Sequence, residues 1–211
     1  MNTKTSDKSQ ETAEAYNSEA NTYEEKWTDY LTHTHERLID EIQVNPEDRI
    51  LDISAGTGLL AKYLTEQEKP FSELVLNDVA DKMLDVARQR FGGRENIEFG
   101  EDFAENLSYK SSTFDIVISL NAFHNYEDSE KVLSEIHRVL KPGGHFYILD
   151  WNRKGFFKLY NFFIKFKVSQ RIQTLSIDQM TKILFDNLLS VEKAKDWKYG
   201  MWRFYLIKAK K

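Results

Sequence analysis

The sequence predicts a doubly wound α/β sheet of seven strands, mostly parallel, with an antiparallel C-terminal strand. Three observations carry that expectation. Short apolar runs alternate with helical periods between Arg49 and Asp150, the pattern of parallel strands covered by helices on both faces. Phe114-Asp115-Ile116-Val117-Ile118-Ser119-Leu120 is nearly continuous in apolar residues, as a central strand buried on both faces requires. Two β-rich runs, Val191–Trp197 and Met201–Ala209, are separated only by a turn at Gly200, and strands joined so tightly run antiparallel.

Residues 1–12 are polar and rich in Ser, Thr, Lys and Gln, the composition of a disordered tail. From Ala13 to Ile42 the pattern is helical, with Trp27, Leu31, Thr34, Leu38 and Ile42 spaced by three and four, and Pro46 closes the segment. Arg49–Ile53 is the first strand and Leu59 to Glu66 the helix after it. Glu73–Asn77 is the second strand, followed by a helix carrying Val79, Met83, Val86, Ala87 and Arg90 and ended by Gly92-Gly93. Asn96–Phe99 makes a short third strand and Phe114–Leu120 the fourth. Val132, Leu133, Ile136, Val139 and Leu140 mark the next helix, which Pro142-Gly143-Gly144 stops before a fifth strand, His145 to Asp150. A helix from Ile177 to Leu188 precedes the antiparallel pair.

At 211 residues, with 41% hydrophobic and 30% charged side chains, the chain suits one globular domain with a sizeable core. No linker divides residues 13–211. The absence of cysteine excludes disulfides, thiolate metal sites and a cysteine nucleophile. Met1 to Thr12 holds no apolar stretch of a secretory signal, and nothing approaches about 18 consecutive apolar residues, so a cytoplasmic protein is expected. The net charge of −5 conceals an asymmetry: residues 151–211 carry +10 and residues 1–150 carry −15. An anionic partner at the basic end and attraction between the two surfaces within one fold are both open.

The chemistry concentrates in Leu51-Asp52-Ile53-Ser54-Ala55-Gly56-Thr57-Gly58, where a strand meets a turn and then a helix. Two glycines let backbone N–H groups approach a ligand closely, and the helix start presents its free donors to the same space. Asp52 places a carboxylate beside the turn, which suits an ammonium or hydroxyl better than a bare phosphate. Gly56-Thr57-Gly58-Leu59-Leu60-Ala61 also reads as the dinucleotide fingerprint, with Asp78 lying 20 residues beyond Gly58. On these residues alone both cofactor classes stay open.

The ordered set of features resembles the class I S-adenosylmethionine-dependent methyltransferases, in particular the type-11-like group acting on small molecules. Leu51–Gly58 is similar to their first motif and Asn77-Asp78-Val79-Ala80-Asp81-Lys82-Met83-Leu84 to their acidic second motif. Gly100-Glu101-Asp102-Phe103-Ala104-Glu105-Asn106-Leu107 resembles their adenine loop. Thr113–Val117 with Asn121-Ala122-Phe123-His124-Asn125 matches the fourth-strand region, and Arg138–Gly144 the turn before the fifth. The resemblance covers residues 49–150 and implies a Rossmann-like sheet with N-terminal helices forming a cap. It divides the domain into a cofactor half, 46–150, and substrate-side elements, 13–45 and 151–189. The family usually has glycine where Ser54 stands, and its common paired histidine is here His124-Asn125.

The resemblance implies S-adenosyl-L-methionine as cofactor and S-adenosyl-L-homocysteine as product. By it, Asp52 anchors the methionine end while Ser54, Ala55, Gly56 and Gly58 shape the turn. Asp78 accepts the ribose hydroxyls, with Val79 and Met83 beside it. Asp102 accepts the adenine amino group, Phe103 meets the ring, and Asn121 offers its backbone near the amino-acid moiety. His124 is the candidate base, since it follows the fourth strand where ligands sit in open α/β sheets; a hydrogen-bonded structural histidine is the alternative. Tyr23, also a catalytic candidate, together with Trp27 and Tyr126, offers pocket walls or plain core. His33 and His35 lie two apart, on different helix faces, so no metal site is expected.

Phe156 to Val168 is apolar nearly all round, with Lys154, Lys158, Asn161 and Lys165 as a polar stripe. Residues 154–168 could form a lid, a peripheral membrane contact or a helix packed on both sides. The expected acceptor is a small molecule, apolar or anionic, of quinone or lipid type, transferred to by in-line displacement. A small polar metabolite and a non-catalytic cofactor-binding protein are the alternatives. Nucleic acid is not expected, because the basic residues are spread across elements with no RNA-binding motif. Oligomeric state is not legible.

Overall fold

The computed structural model describes residues 7–153 and 174–211; the lid or membrane helix expected at 154–168 lies outside the described residues. Seven strands form one sheet: β1 (Arg49–Asp52), β2 (Glu73–Asn77), β3 (Ile97–Gly100), β4 (Phe114–Leu120), β5 (Leu140–Trp151), β6 (Ser190–Tyr199) and β7 (Trp202–Lys210). Their order is β3-β2-β1-β4-β5-β7-β6. The ladders of β1 with β2 and β4, β2 with β3 and β4 with β5 are parallel. β7 is antiparallel to both its neighbours, β5 and β6. The order reverses between β1 and β4, which is where an open α/β sheet leaves a crevice beyond its C-terminal strand ends.

Alternation along each strand builds two cores. Leu51, Val75, Val117, Phe146 and Ile207 face one side and pack on Val132, Leu133, Ile136 and Val139 of α6 (Ser129–Val139) and on Met180 and Leu184 of α7 (Ile177–Asp186). Ile50, Leu74, Leu76, Ile116 and Ile118 face the other side. There they meet Leu38 and Ile39 of α3 (Thr28–Ile39), Leu60 and Leu64 of α4 (Leu59–Glu66), and Leu84 and Ala87 of α5 (Asp81–Phe91).

The helical pattern expected over Ala13–Ile42 is divided into three helices: α1 (Asp7–Glu19), α2 (Tyr23–Lys26) and α3. The cause is two docking surfaces. Leu38 and Ile39 of α3 join the main core, whereas Tyr16, Ala20 and Tyr23 pack on Ala80 and Met83. A straight rod cannot reach both. α1 also begins inside the stretch expected to be a disordered tail: residues 7–12 are helical. A tertiary anchor compensates for their polar composition, since Asn17 bonds Asp81 Oδ1 at 2.6 Å and accepts from the Lys82 N–H at 3.0 Å.

β5 likewise starts earlier than His145. Leu140 already pairs with Phe114, and the ladder then bulges before Ile116 meets His145. Pro142-Gly143-Gly144 is therefore a bulged strand entry; Gly143 holds φ +81°, and a Cβ on Gly144 would stand 2.9 Å from the Asp115 carbonyl. The β6–β7 hairpin closes through Gly200 and Met201, with Gly200 at φ +56°.

Much of the described basic charge is engaged within the fold. Lys193 and Lys195 both bond Glu41, Lys208 lies 3.1 Å from Glu192, and Lys211 Nζ donates to the carbonyls of His137 and Leu140. Beyond the C-terminal end of β5, an aromatic cluster gathers around Tyr30, with Trp27, Trp151, Trp202 and Phe204 all at ring-centroid distances of 5.6–6.5 Å. Trp197 extends it through Phe204 at 5.7 Å. Among the described residues, no helix is long and apolar enough to cross a membrane.

Candidate functional site

A cavity opens above the C-terminal ends of β1, β2 and β4, floored by the glycine turn and roofed by α1, α2 and α3. Its shape begins with backbone conformation. Gly56 (φ +52°) and Gly58 (φ +76°) occupy the left-handed region that side chains disfavour. A Cβ on Gly56 would meet nothing within 4 Å, so that glycine leaves the floor open. Gly58 works differently: its Cβ would stand 3.0 Å from Ala87 and 3.1 Å from Phe91, so it permits close packing of α5 behind the turn. Accordingly Gly56 lines the cavity and Gly58 does not.

Three aspartates leave successive strands into this space. Asp52 is 1% exposed; its Oδ1 accepts from the Ser54 N–H at 3.1 Å. Burial, with the charge of Asp78 added, pushes its pKa up to about 7 despite that hydrogen bond. Asp78 accepts from the Gly56 N–H at 2.8 Å and the Ala80 N–H at 2.9 Å, and burial raises its pKa too. Asp102 accepts from the Ser108 N–H at 2.8 Å and hydroxyl at 2.6 Å. Its backbone is clamped to β2 by Asn77, which donates to the Asp102 carbonyl and accepts from its N–H. Glu105 supplies a fourth carboxylate; its Oε1 is buried with no hydrogen-bond partner among the described residues.

The described walls contain no lysine or arginine. The imidazole there, His35, is held neutral at pH 7, because burial lowers its pKa to about 4. Burial raises Tyr16 to about 12 and Tyr23 further, so both are hydroxyl donors at neutral pH. Four carboxylates with no cation among them suit a ligand bearing positive charge and N–H or O–H donors. They would repel a pyrophosphate. This acceptor set fits S-adenosylmethionine, which brings a sulfonium, an ammonium and ribose hydroxyls, better than a dinucleotide.

The roof is fastened by polar side chains. Glu24 accepts from the Thr57 hydroxyl at 2.5 Å and takes Arg90 Nη2 at 2.9 and 3.1 Å, while Arg90 Nη1 reaches the Thr57 carbonyl at 3.1 Å. Asn125 donates to the Tyr16 hydroxyl at 3.1 Å. Asn121 sits at φ +57°, accepts from Tyr30 at 2.9 Å and donates to Thr34 at 2.8 Å, joining the end of β4 to α3.

Of the residues singled out in the sequence, Tyr23, Asp52, Ser54, Ala55, Gly56, Asp78, Val79, Met83, Asp102, Phe103, Asn121 and Tyr126 meet at this cavity. Trp27 does not, and neither does His124. His124 is 4% exposed, donates through Nδ1 to Asp150 Oδ1 at 2.7 Å, and stacks on Trp151 at 4.0 Å between centroids. The turn at Phe123–Asn125 directs residue 124 toward the end of β5 and leaves Asn125 facing the cavity. The histidine expected as a base thus lies outside the cavity lining, hydrogen-bonded to Asp150. Tyr16 and Glu24 escaped the sequence reading, which named His35, Arg90 and Glu105 but gave them no part in the cofactor site. No short motif marks Glu24 or Arg90; Tyr16 and Tyr23, seven apart, were the legible sign of a shared face.

Residues 51–148 match a family described as a methyltransferase domain. Over 158 residues the chain is 34% identical to a ubiquinone/menaquinone biosynthesis C-methyltransferase of Ectopseudomonas mendocina, a match covering 71% of this chain and 61% of that protein. A demethylmenaquinone methyltransferase of Chlorobaculum parvum is 36% identical over 110 residues, or 52% of this chain and 44% of that protein. The matches therefore span 61% and 44% of the length of these two relatives. An S-adenosylmethionine-dependent methyltransferase structure from Mesorhizobium loti superposes with a TM-score of 0.71 at 17% identity, over 83% of this chain and 96% of that one.

Proposed function

We propose that the chain is an S-adenosylmethionine-dependent methyltransferase acting on a small, quinone-type aromatic acceptor, a reading that starts from the match of residues 51–148 to the methyltransferase domain family. The observation that carries the transferase reading is the acidic cavity at the strand-order reversal, with no lysine or arginine among its described walls. The acceptor class rests on the names of the two relatives.

S-adenosylmethionine, when bound, supplies a methyl group on a sulfonium, already activated for displacement. The chain's own contribution is binding, orientation and exclusion of water. Asp78 would hold the ribose hydroxyls while its backbone bonds fix the carboxylate plane. Asp102, braced by Asn77 and Ser108, would take the adenine amino group. Asp52 would hold the amino-acid end, its charge restored by the cation beside it. The roof of α1–α3 shields the reacting atoms, and alignment of this kind can supply roughly 7–11 kcal/mol of barrier reduction. A general base would add less, about 10²–10⁴-fold, and His124, pinned outside the cavity, is not assigned that part.

Transfer from methyl-labelled S-adenosylmethionine into metabolite extract, split between organic and aqueous phases, tests the proposal. Label in the organic phase, migrating with a methylated quinone, is expected. Label confined to the aqueous phase would replace the quinone with a polar acceptor. S-adenosylhomocysteine binding without any transfer would reduce the protein to a cofactor binder.

A further inference from the structure

His35 lines the cavity and is 6% exposed, yet it belongs to none of the sequence motifs. Its ring is fixed on two sides. Nδ1 lies 2.7 Å from the Leu31 carbonyl one helical turn back, and Tyr63 of α4 stacks on it at 5.7 Å between centroids. A carbonyl only accepts, so Nδ1 carries the proton. In the neutral ring that leaves Nε2 as an acceptor, and no described residue bonds it. The depressed pKa keeps the imidazole in this state at neutral pH.

Position gives this acceptor a partner. Asp102 and Asp78 follow β3 and β2, on the side of the cavity read as holding adenine and ribose. His35 sits on the opposite side. Its neighbour Thr34 is bonded by Asn121, after β4, and its stacking partner Tyr63 belongs to the helix that follows the glycine turn. A nucleoside bound across β3 and β2 extends its amino-acid chain toward this β1–β4 end. We infer that His35 is a binding residue for that chain, accepting a hydrogen bond at Nε2 from its ammonium group. The inference rests on the reading of the cavity as an S-adenosylmethionine site. Asp52 supplies charge to the same end of the ligand, and His35 supplies direction.

The test compares S-adenosylhomocysteine with 5′-methylthioadenosine, which keeps the nucleoside and the sulfur but lacks the amino acid. His35→Phe retains the ring and removes the acceptor; calorimetry should show S-adenosylhomocysteine weakened about tenfold or more, the range for a hydrogen bond to a charged group. Methylthioadenosine should stay within about twofold. His35→Gln, whose amide oxygen lies near the former Nε2, should recover most of the loss. Equal weakening of both ligands would make His35 a packing residue and overturn the inference, as would an unchanged homocysteine affinity. Should His35→Phe not fold, the Nε2 resonance of the native protein decides. It should move with S-adenosylhomocysteine and stay with methylthioadenosine, and a resonance still under both overturns the assignment. Native protein that binds neither ligand removes the cofactor reading itself.

Discussion

Asp52 illustrates how a buried carboxylate can cost stability when the cavity holds no ligand. Its pKa near 7 stands above the unfolded value of about 3.9, so between those limits the folded state binds the extra proton. Stability therefore falls as pH rises from about 4 to about 7 and is level above. Asp52→Asn should accordingly stabilise the ligand-free protein at pH 8 and not at pH 4, by at most about 4 kcal/mol, as urea unfolding at the two pH values would measure. A cationic ligand reverses the preference. S-adenosylhomocysteine affinity should weaken as pH drops below about 7, up to tenfold per unit, and calorimetry from pH 5.5 to 8.5 checks it. Asp78→Ala should weaken the same ligand by roughly 1.5–3 kcal/mol; unchanged affinity would take Asp78 out of the site. Asp52 and Asp78 could be singled out because Asp52 ends the first strand just before the glycine turn and Asp78 directly follows the second strand. His35 could not, since what matters about it is a tautomer fixed by a carbonyl four residues away and a ring on another helix.

At the level of elements, the strands were legible because apolar runs buried on both faces leave little freedom: β2 and β4 fall where expected, at Glu73–Asn77 and Phe114–Leu120. The N-terminal helices were not, because their breaks answer to partners far away in sequence. Glu24 is an ordinary helix carboxylate until Thr57 and Arg90 are brought to it. Glu24→Gln should loosen α2, raise amide exchange across residues 9–27 and speed S-adenosylhomocysteine dissociation about fivefold, the equivalent of about 1 kcal/mol. Gly58 tests the other side of the turn. With φ +76° and contacts of 3.0–3.1 Å awaiting a Cβ, Gly58→Ala should cost about 1–3 kcal/mol in urea unfolding.

Across the whole molecule, the cavity draws walls from β-strand ends, the glycine turn and the three N-terminal helices, so occupancy and folding are linked. S-adenosylhomocysteine at 100 times its dissociation constant should add about 2.7 kcal/mol. In a domain of this size that raises Tm by about 5–10 °C, a shift that Asp78→Ala should lose. The aromatic cluster has an optical consequence. All four tryptophans, at 27, 151, 197 and 202, lie in the corner around Tyr30 and Phe204, and none lines the cavity. Intrinsic emission is therefore a reporter of that corner alone. A nucleoside filling the acidic cavity should leave the spectrum nearly still, whereas a compound that quenches it has reached the β5–β7 end of the sheet.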